Sequence, residues 1–379
     1  MRASVLETLA GITKESWNAL TDGSSPFMRH EFLLALENSG CVGRSTGWHP
    51  WFITLHDEQG LAAAAPSWLK SNSYGEFVFD FAWAQAYSRS GLNYYPKLTS
   101  AAPFTPASGP RLLVRQDLSH AQIAPKLLQA ISAAANERDL SSAHILFPDS
   151  RDLATIAEDD NWLIRRDCQF HWTNRGYQNF EDFLGSFTAD KRKKAKRERR
   201  RVTESGIVFE TRLGSEITAE ELDAAWHLHR INFIRHGNEP YLNLNFFYEL
   251  TRTLGNSLMF KLAHHEDQFV AVAIFFMSRH TLYGRYWGAT DEFHSLHFET
   301  CYYQGIEYCI EHGLQRFEPG TQGEHKVSRG FEPEFTYSAH YIREPQFKTA
   351  IAAYLAREGR GVEEYAAGIR EHVPYRESL

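Results

Sequence analysis

The segment from Phe317 to Phe331 reads FEPGTQGEHKVSRGF, and the rest of the chain is interpreted around it. It follows the sequence pattern of a helix and a short strand. Its fifteen residues include three glycines, a proline, two carboxylates, a histidine, a lysine and an arginine. Glycine permits positive φ and close backbone approach, so amide groups near Gly320 and Gly323 can point at an anion. Composition alone is typical of a solvated surface turn, and it is the context of the segment in the rest of the chain that favours a functional loop held by rigid neighbours.

Upstream of this loop, the chain carries a strongly basic segment. Between Lys191 and Arg201 it has nine basic residues and one acid, a local charge of +8, whereas the whole chain has −7, which leaves −15 on the remainder. Like charges one helical turn apart repel, and the sequence shows no acidic partners for them. A merely solvated helix face is therefore disfavoured, and we expect the segment, predicted as helix 190–204, to contact a phosphate-bearing ligand.

Length and composition favour two globular domains. A chain of 379 residues exceeds the usual size of a single core, and 43% hydrophobic and 14% aromatic residues suffice for buried interiors. We place the boundary between lobes 1–168 and 169–379. The sequence shows no signal peptide and no apolar run near the roughly 20 residues that span a bilayer, so we expect a cytoplasmic protein without a transmembrane segment.

Hydrophobic periodicity predicts alternating strands and helices along the chain. In the first half we predict a hairpin of Trp51–Leu55 with Leu61–Leu69, a strand at Phe77–Phe81 and a helix at Ser119–Arg138. In the second half the predicted order is strand, two or more helices, three antiparallel strands, helix, strand, a late strand and a C-terminal helix. The main elements are Ile207–Arg212, Thr218–Arg235, Leu258–His264, Phe269–Ser278, Thr281–Gly288, His297–His312, Gln315–Phe317, Thr336–Ile342 and a helix from about Gln346.

Two stretches resemble a known family. Asp190–Phe209, a basic helix that ends in glycine before a strand, and Gly320–Phe331, a glycine-rich loop with a lysine and a Gly-Phe pair, resemble Fem-type proteins. Gly284–Gly288, His297–Gln304 and Thr336–His340 extend the similarity to the bacterial FemAB-like family of the Gcn5-related N-acetyltransferase (GNAT) superfamily. The resemblance implies an α/β (α+β) fold with tandem GNAT-like lobes, each a mixed, mostly antiparallel sheet flanked by helices.

The resemblance also implies a reaction, which is acyl or aminoacyl transfer from an activated donor to an amine in a cleft between the lobes. Peptidoglycan precursors and aminoacyl-tRNA are substrates of the better-known relatives. The acyl-CoA pyrophosphate signature is not evident between Ala289 and His297. We therefore leave open whether the donor is acyl-CoA or aminoacyl-tRNA, and we expect no tightly bound cofactor.

Such a transfer requires a base for the amine and donors for the developing oxyanion. We predict Glu324 or His325 as the base, with Glu318 orienting it. The predicted donor- or phosphate-binding residues are Lys191, Arg192, Lys193, Lys196, Arg197, Lys326, Arg329, Gly320 and Gly323. Arg285, Trp287 and Gln322 are expected to line the cleft, and the resemblance adds Phe104, Thr105 and Arg111.

Two further interpretations bear on this assignment. His294 and His297 lie near Glu299, but histidines at helix ends usually cap or pack, so we predict no metal site. The rival function is a non-catalytic RNA-binding or anionic-ligand-binding module, in which the basic helix carries the function and the loop is a structural turn. Substitutions in the loop would impair a transferase, whereas charge reversal in the helix would impair a binding module.

Overall fold

The computed structural model describes residues 1–266, 268–290, 293–321 and 323–376. The chain forms two compact units. Unit 1 contains Met1–Asp167 and Phe335–Glu364, and unit 2 contains Cys168–Glu334 and the segment from Tyr365 onward. Residues 335–364, which the sequence analysis assigned to the second lobe, belong to unit 1 because Ser338–Ile342 pairs with a strand there.

Unit 1 is built mainly from the first half of the chain. Its elements, in chain order, are β1 Arg2–Leu6, α1 Lys14–Asn18, a 3-10 turn Pro26–Met28, α2 His30–Asn38, β2 Trp48–Pro50, β3 Phe52–Asp57, β4 Gly60–Ala65, β5 Ser67–Lys70, α3 Phe81–Arg89, β6 Lys97–Ser100, β7 Leu113–Val114, α4 His120–Glu137, β8 Ser142–Leu146, α5 Ser150–Ala157 and β9 Trp162–Thr173, which continues into unit 2.

Unit 2 follows with α6 Phe180–Gly185, α7 Ala189–Glu204, β10 Ile207–Leu213, α8 Ala219–Arg235, α9 Leu244–Leu254, a 3-10 turn Gly255–Ser257, β11 Leu258–His265, β12 Gln268–Met277, β13 Thr281–Ala289, α10 Leu296–Phe298, a π-helical turn Glu299–Tyr303, α11 Gln304–Glu311, β14 Arg316–Glu318, a 3-10 turn Glu324–Arg329, β15 Glu332–Ile342, which continues into unit 1, and α12 Pro345–Arg370.

The sheets of unit 1 surround an apolar core. One sheet has the antiparallel order β1-β3-β4-β7, and a second set of neighbours has the order β15-β8-β6-β5-β2, in which only β6 and β8 are parallel. Helix α4 places Ile123, Leu127 and Ile131 at helical spacing, so one face of the helix packs into this core. The predicted hairpin is confirmed for β3 and β4. The predicted strand Leu61–Leu69 is too long, because Ser67–Lys70 forms a separate strand, β5, in the other sheet.

The predicted strand Phe77–Phe81 is wrong. Phe77 has φ of 59°, which a strand does not permit, and α3 begins at Phe81. Between two exposed phenylalanines, the Asp80 side chain turns inward to a buried lysine, Lys97. Alternating burial in this segment therefore reflects a buried ion pair, which hydrophobic periodicity does not detect.

Unit 2 contains the neighbours β10-β11-β12-β13-β14-β9, antiparallel except for the pair β13 and β14. The parallel pairing joins only Thr281–Tyr283 to Arg316–Glu318. The element order and mostly antiparallel sheets that the sequence predicted are confirmed, and so is the mixed α/β fold class. The basic segment is helical over Ala189–Glu204, close to the predicted 190–204.

Candidate active site

A cavity of about 150 Å³ lies where the pairing of β13 with β14 ends. All of its lining residues belong to unit 2, although the sequence analysis expected a cleft between lobes. They come from β12, β13, the helical turns around residue 300 and the start of the loop after β14. The lining residues are Ala273, Ile274, Phe275, Gly284, Arg285, Tyr286, Trp287, His297, Cys301, Tyr302 and Pro319.

A β-bulge directs side chains of β13 into this cavity. Ile274 pairs with Tyr286 and Phe275 pairs with Gly284, so Arg285 is the extra residue of β13. A bulge re-aims side chains and commonly lies beside an active site. A Cβ on Gly284 would lie 3.2 Å from the Pro319 Cα, so glycine permits the close approach of the two chain segments here. Arg285 and Trp287, which the sequence analysis predicted at a cleft between lobes, line this cavity of unit 2.

Aromatic side chains join β13 to the helical turns across the cavity. Trp287 of β13 and His297 pack edge-to-face with ring centroids 5.3 Å apart. Burial lowers the pKa of His297 to about 4, with smaller contributions from His325, Arg329 and Lys326. The His297 ring is therefore neutral near pH 7, and we assign it to the shape of the cavity.

The side chains of Tyr302 and His325 form a hydrogen bond at the edge of the cavity, with 2.9 Å between the Tyr302 hydroxyl and the His325 Nε2. Burial raises the pKa of Tyr302, so its hydroxyl keeps its proton. Partial burial, together with Lys326 and Arg329, lowers the pKa of His325, which is therefore largely neutral near pH 7. The His325 side chain is exposed, whereas Tyr302 lines the cavity. The pair thus connects the cavity with solvent.

Gly323 makes this position of His325 possible. Its φ is 110°, and a Cβ built there would lie 2.2 Å from the His325 Cε1. A residue with a Cβ at this position would therefore displace the imidazole ring of His325. The sequence prediction assigned Gly323 to anion binding, and the structure shows instead a packing contact with the histidine.

Lys326 is buried, at 2% exposure, near the lining residue Cys301. Its ammonium donates a hydrogen bond of 2.7 Å to the Gly320 carbonyl. Burial lowers the pKa of Lys326 to about 7, although the neighbouring Cys301, a lining residue, opposes the shift. Its position differs from the predicted one at a donor phosphate, because the side chain turns into the protein and its charge is sensitive to pH near neutrality.

Arg329 is also buried, at 2% exposure, and it does not face a ligand as predicted. Its guanidinium donates to both carboxylate oxygens of Glu198, at 2.8 and 3.1 Å. A third bond of 2.5 Å reaches the His325 carbonyl. Glu198 is the single acid in the basic segment, and the sequence analysis gave it no role.

Some cations of helix α7 form ion pairs with acidic residues of unit 2, and others on the same helix form none among the described residues. The sequence showed no acidic partners, but the fold supplies them: Arg199 contacts Glu299 and Glu307, and Lys196 contacts Glu181. Among the described residues, four predicted phosphate contacts form no ion pair: Lys191, Arg192, Lys193 and Arg197. Lys193 and Arg197 are exposed one helical turn apart.

An open concavity of about 650 Å³ adjoins the cavity and shares Trp287 and His297 with it. Arg235, His236 and His294 contribute nitrogen donors to its lining. His294 also contacts the Arg201 guanidinium of α7 at 3.2 Å. The C-terminal part of α7 therefore contacts the lining of the concavity.

Two carboxylates that the sequence predicted as catalytic have other partners. Glu324 is exposed, does not line the cavity and accepts a hydrogen bond of 2.8 Å from the Tyr365 hydroxyl. Glu318 is buried and pairs with Arg316 at 3.2 Å, and no bond to His325 is seen among the described residues.

Of the three predicted catalytic residues, His325 forms a hydrogen bond with a lining residue, Tyr302. Glu318 directly precedes the lining residue Pro319, and its charge opposes the lowering of the Arg285 pKa by burial.

The predicted lining residues of the first lobe are interior residues of unit 1. Arg111 is 1% exposed and donates to the carbonyls of Leu146, Pro110 and Ala107. Phe104 and Thr105 are buried beside it in the same loop segment. Their contacts stabilise unit 1. Gln322 lies outside the described residues.

Sequence reasoning missed Tyr302, Tyr286 and Glu198. Tyr302 lies in a π-helical turn, and single π turns occur frequently at functional sites, but no sequence pattern marks them. Glu198 stood out only as the lone acid among nine cations. A charge of the opposite sign inside a charge run is the signal that could have identified it.

No group of metal-ligating side chains is present in the part of the chain that the structure describes. Within that part, every helix is too short or too polar to cross a membrane.

The sequence matches the FemAB-like family, described as peptidoglycan biosynthesis/recognition, over residues 8–377. The chain therefore belongs to the FemAB-like family. No curated protein matches the sequence significantly.

Solved structures with the same fold are distant in sequence. The C-terminal domain of a putative lysylphosphatidylglycerol synthetase from Agrobacterium fabrum has 11% identity and a TM-score of 0.55, covering 90% of this chain and 96% of that one. FemX has 12% identity and a TM-score of 0.53, covering 93% and 100%. L-PGS from Bacillus licheniformis has 11% identity and a TM-score of 0.51, covering 88% and 97%. At these identities the likeness establishes the fold.

Proposed function

We propose that the protein transfers an acyl or aminoacyl group from a phosphate-bearing donor to an amine acceptor at the cavity beside β13. The family description and the fold shared with FemX favour aminoacyl transfer to a peptidoglycan precursor in the cytoplasm. The observation that carries the proposal is the hydrogen bond between Tyr302, which lines the cavity, and exposed His325. This pair gives an attacking amine a route for its proton.

In the proposed reaction the amine nitrogen attacks the carbonyl carbon of the donor, and the bond from that carbon to the leaving oxygen or sulfur breaks. The amine proton passes through the Tyr302 hydroxyl to neutral His325 and from there to solvent. A neutral imidazole whose pKa lies below neutrality accepts a proton near pH 7. Positioned proton transfer of this kind contributes roughly 10²- to 10⁴-fold to the rate.

Lys326 has the chemistry to stabilise the oxygen that becomes negative in the tetrahedral intermediate. It is buried beside the lining residue Cys301, and a cation in a water-poor site interacts more strongly with developing charge than in water. Because its pKa is about 7, the charged form is present over only part of the neutral range. We therefore propose that transfer weakens at alkaline pH as Lys326 loses its proton.

The donor is proposed to lie along α7 and the adjoining concavity. Lys193 and Arg197 are about 6 Å apart along the helix axis, a spacing suited to successive phosphates. Arg235, His236 and His294 continue the nitrogen-rich surface towards the cavity. Cations spread along a helix suit a polynucleotide better than the compact phosphates of coenzyme A. We therefore place aminoacyl-tRNA ahead of acyl-CoA as the donor.

The test is a transfer assay with purified protein, a UDP-linked muramoyl pentapeptide as acceptor, and either charged total tRNA or acetyl-CoA as donor. Mass spectrometry would detect the new amide. We expect product with charged tRNA, reduced by at least 10²-fold in His325→Gln and Tyr302→Phe while tRNA binding is retained. Absence of product with every donor would reject the transferase for this acceptor.

A second candidate function follows from the free face of α7. The four cations without an ion-pair partner support a module that binds RNA or another polyanion without catalysis. In that case tRNA binding falls on Lys193→Glu and Arg197→Glu and weakens with salt, and no donor is discharged by the wild-type protein. Discharge that depends on His325 would exclude this candidate.

A further inference from the structure

The lone acid of the basic segment has an unusual set of contacts. Glu198 is 7% exposed and faces the body of unit 2 from α7. Besides the two bonds from Arg329, it accepts a hydrogen bond of 2.8 Å from the Tyr303 hydroxyl. Its carboxylate is thus held by two elements at once, the 3-10 turn Glu324–Arg329 and the π-helical turn Glu299–Tyr303.

The same two turns also hold the His325–Tyr302 pair. Arg329 donates to the His325 carbonyl at 2.5 Å and its guanidinium lies 3.3 Å from the centre of the Phe298 ring. Tyr302 and Tyr303 are adjacent in the π-helical turn, with Tyr302 bonded to His325 and Tyr303 bonded to Glu198. Glu198 of α7 is therefore connected to both members of the pair. Arg329 links it to His325, and Tyr303 links it to the adjacent Tyr302.

We propose that Glu198, acting through Arg329 and Tyr303, is the positioning residue that couples the donor-binding helix α7 to the proton-transferring His325 and Tyr302. This inference rests on the proposed function, because it assigns one face of α7 to the donor. The outer face of the helix carries the cations, and the inner face sets the orientation of the histidine. Helix and loop then act as one rigid part of the site.

A role in stability alone would not explain the buried ion pair of Glu198 with Arg329. Buried ion pairs are weak sources of stability, and replacing both members with apolar residues of similar size is often neutral. Arg329 also donates a hydrogen bond to the backbone carbonyl of His325, the residue whose side chain bonds Tyr302. The arrangement is therefore suited to fixing geometry.

The experiment replaces both members of the pair, Glu198→Met with Arg329→Met, so that no charge is left buried and unpaired. Three properties are compared with the wild type, namely kcat for charged tRNA, KM for charged tRNA and the pH titration of His325 by NMR. His325→Gln identifies the resonance. We expect a melting temperature within a few degrees of the wild type, kcat lower by at least tenfold and KM within threefold.

The titration has a predicted direction. The charged or titratable groups that face His325 are Tyr302 and His297 from the preceding helical turns and Lys326 and Arg329 from its own turn. Arg329 lowers the pKa of His325, so its removal should raise that pKa and shift the acidic limb of the rate profile to higher pH. If the double variant does not fold, Glu198→Gln, which keeps shape and one acceptor, should show a smaller loss of kcat.

A matched control is the ion pair Arg343–Asp139 of unit 1, which lies outside the proposed site. Arg343→Gln combined with Asp139→Asn should leave kcat and the His325 titration unchanged. A folded Glu198→Met, Arg329→Met variant with wild-type kcat and His325 titration would overturn the proposal, and so would wild-type values in Glu198→Gln. If the wild type transfers nothing, the proposed function fails, and the NMR titration still decides whether the pair positions His325.

Discussion

Among the described residues each unit buries two lysines, and one from each unit, Lys97 of unit 1 and Lys326 of unit 2, are compared because their surroundings are opposite. In unit 1, Lys97 is fully buried and contacts Glu76 at 2.7 Å, Ser73 at 3.0 Å and Asp80. Burial opposes its charge, but Glu76 and Asp80 outweigh burial and raise the pKa of Lys97. In unit 2, Lys326 is almost as buried and bonds only a neutral carbonyl among the described residues.

This difference distinguishes a buried charge that stabilises the fold from a buried charge that can take part in a reaction. Lys97 is kept charged by Glu76 and Asp80, and Asp80 also accepts a hydrogen bond of 2.6 Å from Tyr94, although one buried oxygen of Glu76 has no hydrogen-bond partner among the described residues. Lys326 has no carboxylate partner in the part of the chain that the structure describes, so burial moves its pKa to about 7. Groups with shifted pKa values near a cavity are candidates for function, whereas a buried ion pair is explained by folding.

The largest expected effect is on the unfolding free energy of Lys97→Met. This change leaves Glu76 and Asp80 buried without their cation, and removing one partner of a buried pair typically destabilises by about 3 to 5 kcal/mol. Urea denaturation of the variant would measure the loss. The control is Lys97→Met combined with Glu76→Gln and Asp80→Asn, which should recover most of it. A loss for Lys97→Met no larger than that for Lys326→Met would contradict the distinction between the two lysines.

The next effect is the pH dependence that Lys326 gives to stability. An unfolded lysine has a pKa of about 10.4 and the folded one about 7, so between these values the unfolded chain binds one more proton. The unfolding free energy should therefore rise with pH from 7 to 10, by about 1 kcal/mol per pH unit from this group. Urea denaturation at pH 7, 8 and 9 should show the rise in the wild type relative to Lys326→Met. Parallel curves would mean that Lys326 keeps an ordinary pKa.

A smaller effect is expected for Gly323→Ala. Positive φ in a residue with a side chain is strained, and here the new Cβ also meets the His325 ring. We expect a destabilisation of about 1 to 2 kcal/mol together with a loss of transfer. The matched control is Gly176→Ala, where φ is 82° and nothing lies within 4 Å of the new Cβ. Equal transfer in both variants would show that the position of His325 does not matter for the reaction.

Much of the fold followed from sequence because its signals are local. Helix α7 and strands β11 to β13 agree with prediction to within about a residue, since their periodicity and glycine stops are continuous in the chain. The exchange of residues 335–364 into unit 1 could not be predicted, because strand partners are set by pairing distant in sequence. Phe77–Phe81 failed for a related reason, as the partner of Asp80 lies 17 residues away.

The candidate site was only partly predictable. Residue types suited to the chemistry could be identified in the loop, but whether a polar side chain faces a ligand or the interior depends on distant partners. Arg329 turns inward because Glu198 lies 131 residues earlier, and Tyr302 enters the site through a π-helical turn. The sequence thus identified the loop and Arg285 as candidate site residues, and the fold determines which side chains face the cavity and which face the interior.

Glu324→Gln is expected to have the smallest effect, and it tests the sequence-based assignment of the base. Because Glu324 is exposed and bonds only Tyr365 among the described residues, the change should leave the urea midpoint unchanged and transfer within threefold of the wild type. Tyr365→Phe, which removes the same hydrogen bond from the other side, should behave alike. If Glu324→Gln lost transfer by 10²-fold while His325→Gln did not, the proton would leave through the carboxylate and the Tyr302–His325 pair would be structural. The two variants assayed together therefore decide which neighbour in the loop accepts the proton.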